Sequence, residues 1–597
     1  MSKDIQAIIA TDCGSTTTKA ILIEKKDGEY RQTFRGEAPT TVEAPFEDVT
    51  KGVLNAIQEV EELSGRTILD GDKIITEVNG STGVDAYIST SSAGGGLQMM
   101  VAGAIKTMTA ESAQRAALGA GAIVMDVLAS NDKRLPHQKI ERIRQLRPDM
   151  ILLSGGTDGG TITHVVELAE YVGAADPKPR LGMSYQLPVL YAGNIKARDQ
   201  VKEILNEKMA LTITDNLRPT LEEENLMPAR LEIQNLFLEH VMAQAPGYKK
   251  LMSMVNVDIM PTPAAVGEIM QTISQIHNIN VIGVDIGGAT TDVFSVIGEI
   301  FNRTVSANYG MSYSISNVLA DATMKNVMRW LSFDLDEKEI RDRIKNKMIR
   351  PTTIPQSLEE LKMEQAIARE ALRLSFEQHK LLAVGLKGVQ QSRSIADVFN
   401  QENTGQSIIK MMDLDMIVGS GGVLSHAPRR SQSMSMMIDS FLPEGVTAIT
   451  VDSIFMMPHL GVLSRIDKNI ASEVFEKDCL VYLGTCIAPS GQAKKFGQKI
   501  MNFKINMGGK TIEESINFGE LKLFHLGLGE TAEVELIPTR NFDVGSGKGK
   551  IHKQMVKGGV VGLVIDGRGR PIAFPDDHDE KQELVKKWNH TLELYPA

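Results

Sequence analysis

The chain has 597 residues, 42% apolar and 23% charged, with a formal net charge of -11. That length exceeds what one hydrophobic core serves and points to several domains of roughly 100–200 residues, while the acidic balance argues against a large nucleic-acid or anionic-membrane surface. The three cysteines, Cys13, Cys479 and Cys486, form no C-x-x-C pair or Cys/His cluster, which argues against zinc-ribbon and iron–sulfur chemistry and fits a reducing compartment.

From the N-terminus, MSKDIQAIIATD has an apolar run too short, and too soon interrupted by Asp12, for a signal peptide. No run approaches the roughly 18 apolar residues of a membrane span, so a soluble, cytoplasmic protein is expected. Residues 5–24, IQAIIATDCGSTTTKAILIE, are two apolar β-rich runs around a polar turn, the pattern of a β-hairpin. The turn has what a phosphate needs. Gly14 permits close backbone approach, Ser15, Thr16, Thr17 and Thr18 carry hydroxyls, and Lys19 carries positive charge. Asp12 suits a hydrated Mg²⁺ beside the phosphate. Cys13 has no general base nearby in sequence, and its side chain is expected to point into the core.

Further along, Ser91 to Gly96 reads equally as a phosphate-lining loop or as a flexible turn before an amphipathic helix; it lacks dinucleotide-fingerprint spacing. Residues 149–156, DMILLSGG, lead into Asp158, a candidate to orient an attacking water, although Asp in so glycine-rich a loop more often caps a turn. An acidic helical region follows at LRPTLEEENLMPARLEIQNLF, and PTPAAVGEIMQTISQI reads as a helix. Residues 280–298, NVIGVDIGGATTDVFSVIG, then repeat the hairpin pattern with Asp285, Gly287, Gly288, Thr290, Thr291 and Asp292 at the turn. Asp292 is a second candidate to orient water.

The charged stretch LDEKEIRDRIKNK precedes a helix announced by a capping box at Ser357 and Glu360, with apolar residues at Leu358, Leu361, Ile367, Leu372 and Leu374. Both belong to a helical insertion at about 320–400. DMIVGSGG at 415–422 supplies Ser420, Gly421 and Gly422, where missing side chains let a nucleoside lie against backbone. His426 and His459 lack ligand spacing and read as structural, and the methionine clusters MSMMID and IFMMPHLG read as packing. GSGKGK lacks the spacing of a P-loop and reads as a basic turn. GKGKIHKQ and DGRGRP are basic turns among short β-rich runs, with a solvated surface as the default and docking to an acidic partner as the alternative.

Both hairpins share Asp-x-Gly-x-x-Thr-Thr, and DMILLSGG and DMIVGSGG follow them at nearly equal spacing. Two motifs recurring in one order imply two copies of an α/β unit. Facing copies would bring both Asp-containing hairpins to one cleft. Asp12 and Asp285 are then the expected metal-water ligands. Gly14, Ser15, Thr16, Thr17, Lys19, Gly287, Gly288 and Thr290 would cradle phosphate.

These motifs resemble the two phosphate motifs and the adenosine motif of the actin–hexokinase–heat-shock-chaperone ATPases. The segments ISTSSAGGGLQMMVAGAIKTMTAESAQRAALGAGA, SGGTDGG, RPTTIPQSLEELKMEQAIAREALRL and GSGGVLSHAP are further similar to the glutamate mutase accessory family, GlmL. The resemblance implies two duplicated actin-like, ribonuclease H-like ATPase lobes at 1–280 and 281–470, and the β-rich runs at 471–597 add a small C-terminal β-containing domain. It also implies ATP and Mg²⁺ as cofactors, and an adenosylcobalamin-dependent mutase or aminomutase as the partner of a reactivating chaperone. A small-molecule kinase and a non-hydrolysing nucleotide-binding scaffold are the alternatives on the same fold. The iron–sulfur activases of acyl-CoA dehydratases are excluded by the missing cysteines.

Overall fold

The computed structural model describes residues 5–14, 16–92, 96–180, 185–385 and 407–596. One compact unit is built mainly from Met1–Thr272 and Met457–Asp478; the other comprises Ile273–Ala383, Ser407–Met456 and Cys479–Ala597.

The first unit opens with β1 (Ala7–Cys13), β2 (Thr17–Lys26) and β3 (Glu29–Pro39), an antiparallel meander. A small ribbon of β4 (Leu69–Asp70) and β5 (Lys73–Ile74) precedes β6 (Ala86–Ser91), which pairs parallel with β1. Then β7 (Gln98–Gly103), β8 (Ile123–Ala129), β9 (Met150–Ser154), β10 (Pro188–Tyr191) and β11 (Ala210–Ile213) form a separate, wholly parallel sheet in the order β11-β10-β9-β7-β8. The chain returns through β12 (Met260–Pro261), parallel to β6, and completes the first sheet in the order β12-β6-β1-β2-β3.

The second unit repeats that first sheet. Strands β13 (Val281–Ile286), β14 (Thr291–Ile297) and β15 (Ile300–Ser306) are an antiparallel meander; β16 (Met416–Ser420) pairs parallel with β13, and β17 (Gly445–Asp452) parallel with β16. The duplication inferred from the hairpins is therefore present in strand order and direction. Its second motif pair is not. DMIVGSGG ends β16, the fourth strand of the repeat, whereas DMILLSGG ends β9 in the inserted parallel sheet. The true counterpart of β16 is β6, so Thr90, paired with Asp12, stands where Ser420 pairs with Asp285. The two strings match because each is a buried strand ending in Ser-Gly-Gly, not because the strands are topologically equivalent.

The division also differs from boundaries at 470 and 471. Met457–Asp478 belongs to the first unit, and β18 (Leu480–Ala488) pairs with β17 and extends the sheet of the second. Two-residue β19 (Ser490–Gly491) follows, then β20 (Lys499–Met507), β21 (Lys510–Asn517), β22 (Leu521–Phe524), β23 (Thr531–Pro538), β24 (Phe542–Asp543), β25 (His552–Lys557) and β26 (Gly562–Asp566). Strands β22 and β26 join the same large sheet, while β21-β20-β23-β25 make the expected small sheet around Phe503, Ile505, Val534 and Leu536. Continuous hydrogen bonding from β17 through β18 to β26 joins this region to the second unit.

The expected helix runs over Leu358–Leu382, with the Ser357 side chain accepting from the Glu360 N–H. The Glu360 carboxylate returns to the Gln356 N–H, one residue earlier than a capping box requires. The helix Thr262–His277 is likewise where PTPAAVGEIMQTISQI predicts it. The helical insertion is seen up to Leu382; its part beyond 385 lies outside the described residues.

His379, on the long helix, is fully buried between the Thr304 and Ser295 hydroxyls, each 2.8 Å from a ring nitrogen. Burial pushes its pKa down to about 3. The unfolded chain takes up this proton near pH 6.5 and the folded chain does not, so stability falls as the pH drops below about 6.5, by about 1.4 kcal/mol per unit. Denaturant titrations at pH 7 and pH 5 should show wild type losing about 2 kcal/mol more than His379→Gln. Equal losses in both proteins would remove His379 as a source of acid sensitivity.

Candidate functional site

Each repeated sheet carries the same turn at the carboxyl end of its first strand. Gly14 N–H donates to the Thr17 carbonyl at 3.1 Å, and Gly287 N–H donates to the Thr290 carbonyl at 2.9 Å. In the register, Asp12 faces Lys19 and Asp285 faces Asp292, so equivalent positions carry opposite charge. A Cβ on Gly14 would stand 2.6 Å from the Thr17 carbonyl oxygen, which no side chain tolerates. Ser15 lies outside the described residues.

In the first unit the Asp12 carboxylate is buried, and its Oδ1 accepts from the hydroxyls of Thr90 and Thr262, each at 2.7 Å. These donors lie at the end of β6 and the start of the helix Thr262–His277. Thr18 is buried and bonded to Thr40, which also donates to the Gly14 carbonyl, so this threonine braces the loop. Thr16 is exposed and Thr17 half-buried, leaving their hydroxyls at the surface of the turn. Cys13 points into the core, and burial, with the Asp12 charge beside it, pushes its thiol up to about 12. It is no nucleophile at neutral pH.

In the second unit Thr291 is the buried counterpart of Thr18 and donates to the Tyr309 carbonyl. Gly287 and Gly288 accept backbone bonds from Met311, Ser312 and Tyr313, which hold the turn against residues 309–313. Asp292 grips Arg303, with Oδ1 2.9 Å from Nε and 2.6 Å from a terminal nitrogen. It therefore has a structural partner that sequence alone did not reveal. Gly421 (φ 96°) packs on β13 so closely that a Cβ would fall 2.2 Å from the Ile286 carbonyl oxygen. Gly422 opens the short helix Gly422–Ser425, and a Cβ there would meet nothing within 4 Å.

Beside these glycines lies a cavity of about 810 Å³, lined by Gly287, Gly288, Met311, Leu361, Gly422 and Val423 among others. Its size suits a nucleotide. His426 lines it too, and so do Gln365 and Gln432, which bond each other at 3.0 Å. The walls at 351–358 and Lys347 carry no local mark in the sequence, because they approach the glycines only through folding.

Other candidates fall elsewhere. Asp158 lies in the inserted sheet of the first unit, where its Oδ1 accepts from the Ile195 N–H and the Asn216 side chain, the bracing role glycine-rich loops favour. His459 is buried in the first unit. GSGKGK is a turn in which Asp543 accepts from the N–H groups of Gly545 and Gly547. Of the loop at Ser91 to Gly96, residues 93–95 lie outside the described residues.

No group of three or more His, Cys, Asp or Glu that could hold a metal occurs among the described residues. No helix among them is long and apolar enough to cross a membrane.

Two sheets of order 3-2-1-4-5, each with an aspartate and a glycine turn ending its first strand, define a protein of the actin-like ATPase fold. The chain belongs to the MutL protein family, whose profile matches residues 8–479. Protein MutL of Clostridium tetanomorphum is 28% identical over 500 residues, which cover 79% of this chain and 99% of that protein. Solved structures match at long range. A nucleotide-free acetone carboxylase is 11% identical with a TM-score of 0.31, covering 86% of this chain and 81% of its own. Component A of Acidaminococcus fermentans (R)-2-hydroxyglutaryl-CoA dehydratase is 11% identical with a TM-score of 0.26, covering 78% and 99%. Scores this low leave the fold to rest on the strand order.

Proposed function

We propose that the chain is an ATP-binding and ATP-hydrolysing accessory factor that reactivates an adenosylcobalamin-dependent mutase or aminomutase of the glutamate mutase type. The observation that carries the nucleotide part is the cavity beside Gly287, Gly288 and Gly422, at the end of the strand that bears Asp285. Membership of the MutL family supports the mutase part.

The chemistry follows from what these residues can do. The Gly14 and Gly287 N–H groups close their own turns, so these turns would offer phosphate a close approach to backbone, with hydroxyls from Thr16, Thr17 and Thr290. With no multi-carboxylate cluster among the described residues, Mg²⁺ would arrive with the nucleotide and keep most of its waters, which single carboxylates such as Asp12 and Asp285 would hold. The metal ion neutralises phosphate charge when bound. Thr90 and Thr262 fix the Asp12 carboxylate in one orientation, so little reorganisation is needed. Charge neutralisation and positioning supply most of the acceleration in phosphoryl transfer. Asp285 and Asp12 would carry that load.

The test is ATP turnover by the purified protein without any acceptor, alone and with inactivated glutamate mutase. Wild type should hydrolyse ATP and restore mutase activity, and Asp12→Ala and Asp285→Ala should each lower turnover about 100-fold or more. Turnover that needs a small-molecule acceptor would favour a kinase. Tight binding without turnover or rescue would leave a scaffold.

A further inference from the structure

The helix His578–Thr591 packs Val585 and Trp588 into the core of the second unit, and the chain stays bound to that unit beyond it. Leu592 and Leu594 are buried in the same core, and Pro596 reaches the nucleotide cavity and forms part of its wall. The family profile matches only as far as residue 479, so this strap lies outside the matched residues. Its place at the cavity is set by the fold alone.

Hydrogen bonds tie the strap to three residues of the cavity wall, Arg429, Gln432 and Gln365. Arg429 Nη1 donates to the carbonyls of Glu593 and Tyr595, at 2.7 and 3.2 Å. Gln432 Nε2 donates to the Leu594 carbonyl at 2.7 Å, and the Tyr595 hydroxyl donates to Gln365 Oε1 at 2.8 Å. Both glutamines are almost wholly buried, so their partners set the direction of each amide. A backbone N–H can only donate, and a carbonyl can only accept. Gln432 therefore turns Oε1 to the Arg429 N–H, at 3.2 Å, and Nε2 to the Leu594 carbonyl. Gln365 must then donate through Nε2 to Gln432 Oε1, which leaves its own Oε1 for the Tyr595 hydroxyl. Each amide keeps one N–H with no partner among the described residues, so this wall offers a ligand hydrogen-bond donors. Without the strap, Gln365, Gln432 and Arg429 would each lose a fixed partner.

We propose that the strap at 594–596 is a closing wall of the nucleotide site and that Tyr595 is a positioning residue for it. Through Gln365 and Gln432, Tyr595 holds the amide donors toward the acceptor atoms of the bound nucleoside. This rests on the reading that a nucleotide occupies the cavity. Docking of the strap and binding of the nucleotide are then coupled, each favouring the other by the same factor.

Two measurements on the full chain test this, both with Mg²⁺ and a non-hydrolysable ATP analogue. In calorimetry, Tyr595→Phe should bind the analogue about fivefold more weakly than wild type, the value of one hydrogen bond. That change removes only the hydroxyl and keeps the ring beside Lys362, whose Nζ lies 4.9 Å from its centre. The second measurement is one that a merely structural strap would not affect. All three native cysteines are buried, whereas position 596 is exposed, so Pro596→Cys supplies one accessible thiol. At an analogue concentration about ten times its Kd, alkylation of that thiol should slow about tenfold, in proportion to the unoccupied fraction. Absence of analogue binding to wild type would overturn the nucleotide reading, and this inference with it. Saturable binding to wild type, with alkylation indifferent to the analogue or with Tyr595→Phe binding equally tightly, would overturn the role of the strap alone.

Discussion

Asp566→Ala is expected to destabilise the second unit by about 3–5 kcal/mol, the cost of leaving buried charges unpaired. Asp566 ends β26 and is almost wholly buried, with Oδ1 accepting from Arg568 at 2.9 Å and Oδ2 from Arg568 at 2.9 Å and Arg570 at 3.1 Å. Burial alone would raise its carboxyl, but Arg568 and Arg570 hold it well below the usual carboxylate range. Arg568 reaches on to Asp439 at 2.7 Å, and Asp439 in turn grips Arg369 at 2.7 Å. Asp439 and Arg369 sit on the helices Arg430–Phe441 and Leu358–Leu382, the same two that bring Gln432 and Gln365 to the nucleotide cavity. Loss of Asp566 should therefore loosen the cavity as well as the sheet. Urea denaturation gives the stability change directly; a loss below about 1 kcal/mol would mean that water or rearrangement compensates the arginines.

Gly421→Ala is expected to weaken ATP binding about 100-fold and to lower the melting temperature, while Gly422→Ala, which adds a methyl at the wall of the cavity, should leave the melting temperature unchanged. The contrast is geometric. A Cβ at 421 collides with the Ile286 carbonyl and is strained by the positive φ, so β13 must shift, and Asp285 with it. At 422 the new methyl enters open space. Thermal denaturation separates the two, and equal melting temperatures would mean that β13 accommodates the Gly421 methyl without shifting.

The hairpins were legible because their signals are local: apolar runs around Asp-x-Gly give strand and turn within about twenty residues. The long helix was legible through Ser357 and its periodic leucines. What escaped depends on residues far apart in the chain. Thr90 and Thr262 hold Asp12 from 78 and 250 residues away, and nothing in either local pattern marks them. The likeness of DMILLSGG and DMIVGSGG misled because strand strings record burial and turn chemistry, not which sheet receives them. The strand that does correspond, Ala86–Ser91, has the sequence AYISTS and shares no such string. The boundary near 470 failed for a similar reason: Met457–Asp478 belongs to the first unit before β18 extends the sheet of the second, and no composition change accompanies that crossing.

The most direct measurement is calorimetric titration of the purified chain with Mg·ATP, repeated with Asp12→Ala and Asp285→Ala. Saturable binding, weakened by each substitution, is the expected result. No saturable binding at several millimolar nucleotide, which is weaker than about -4 kcal/mol, would contradict the proposed nucleotide binding.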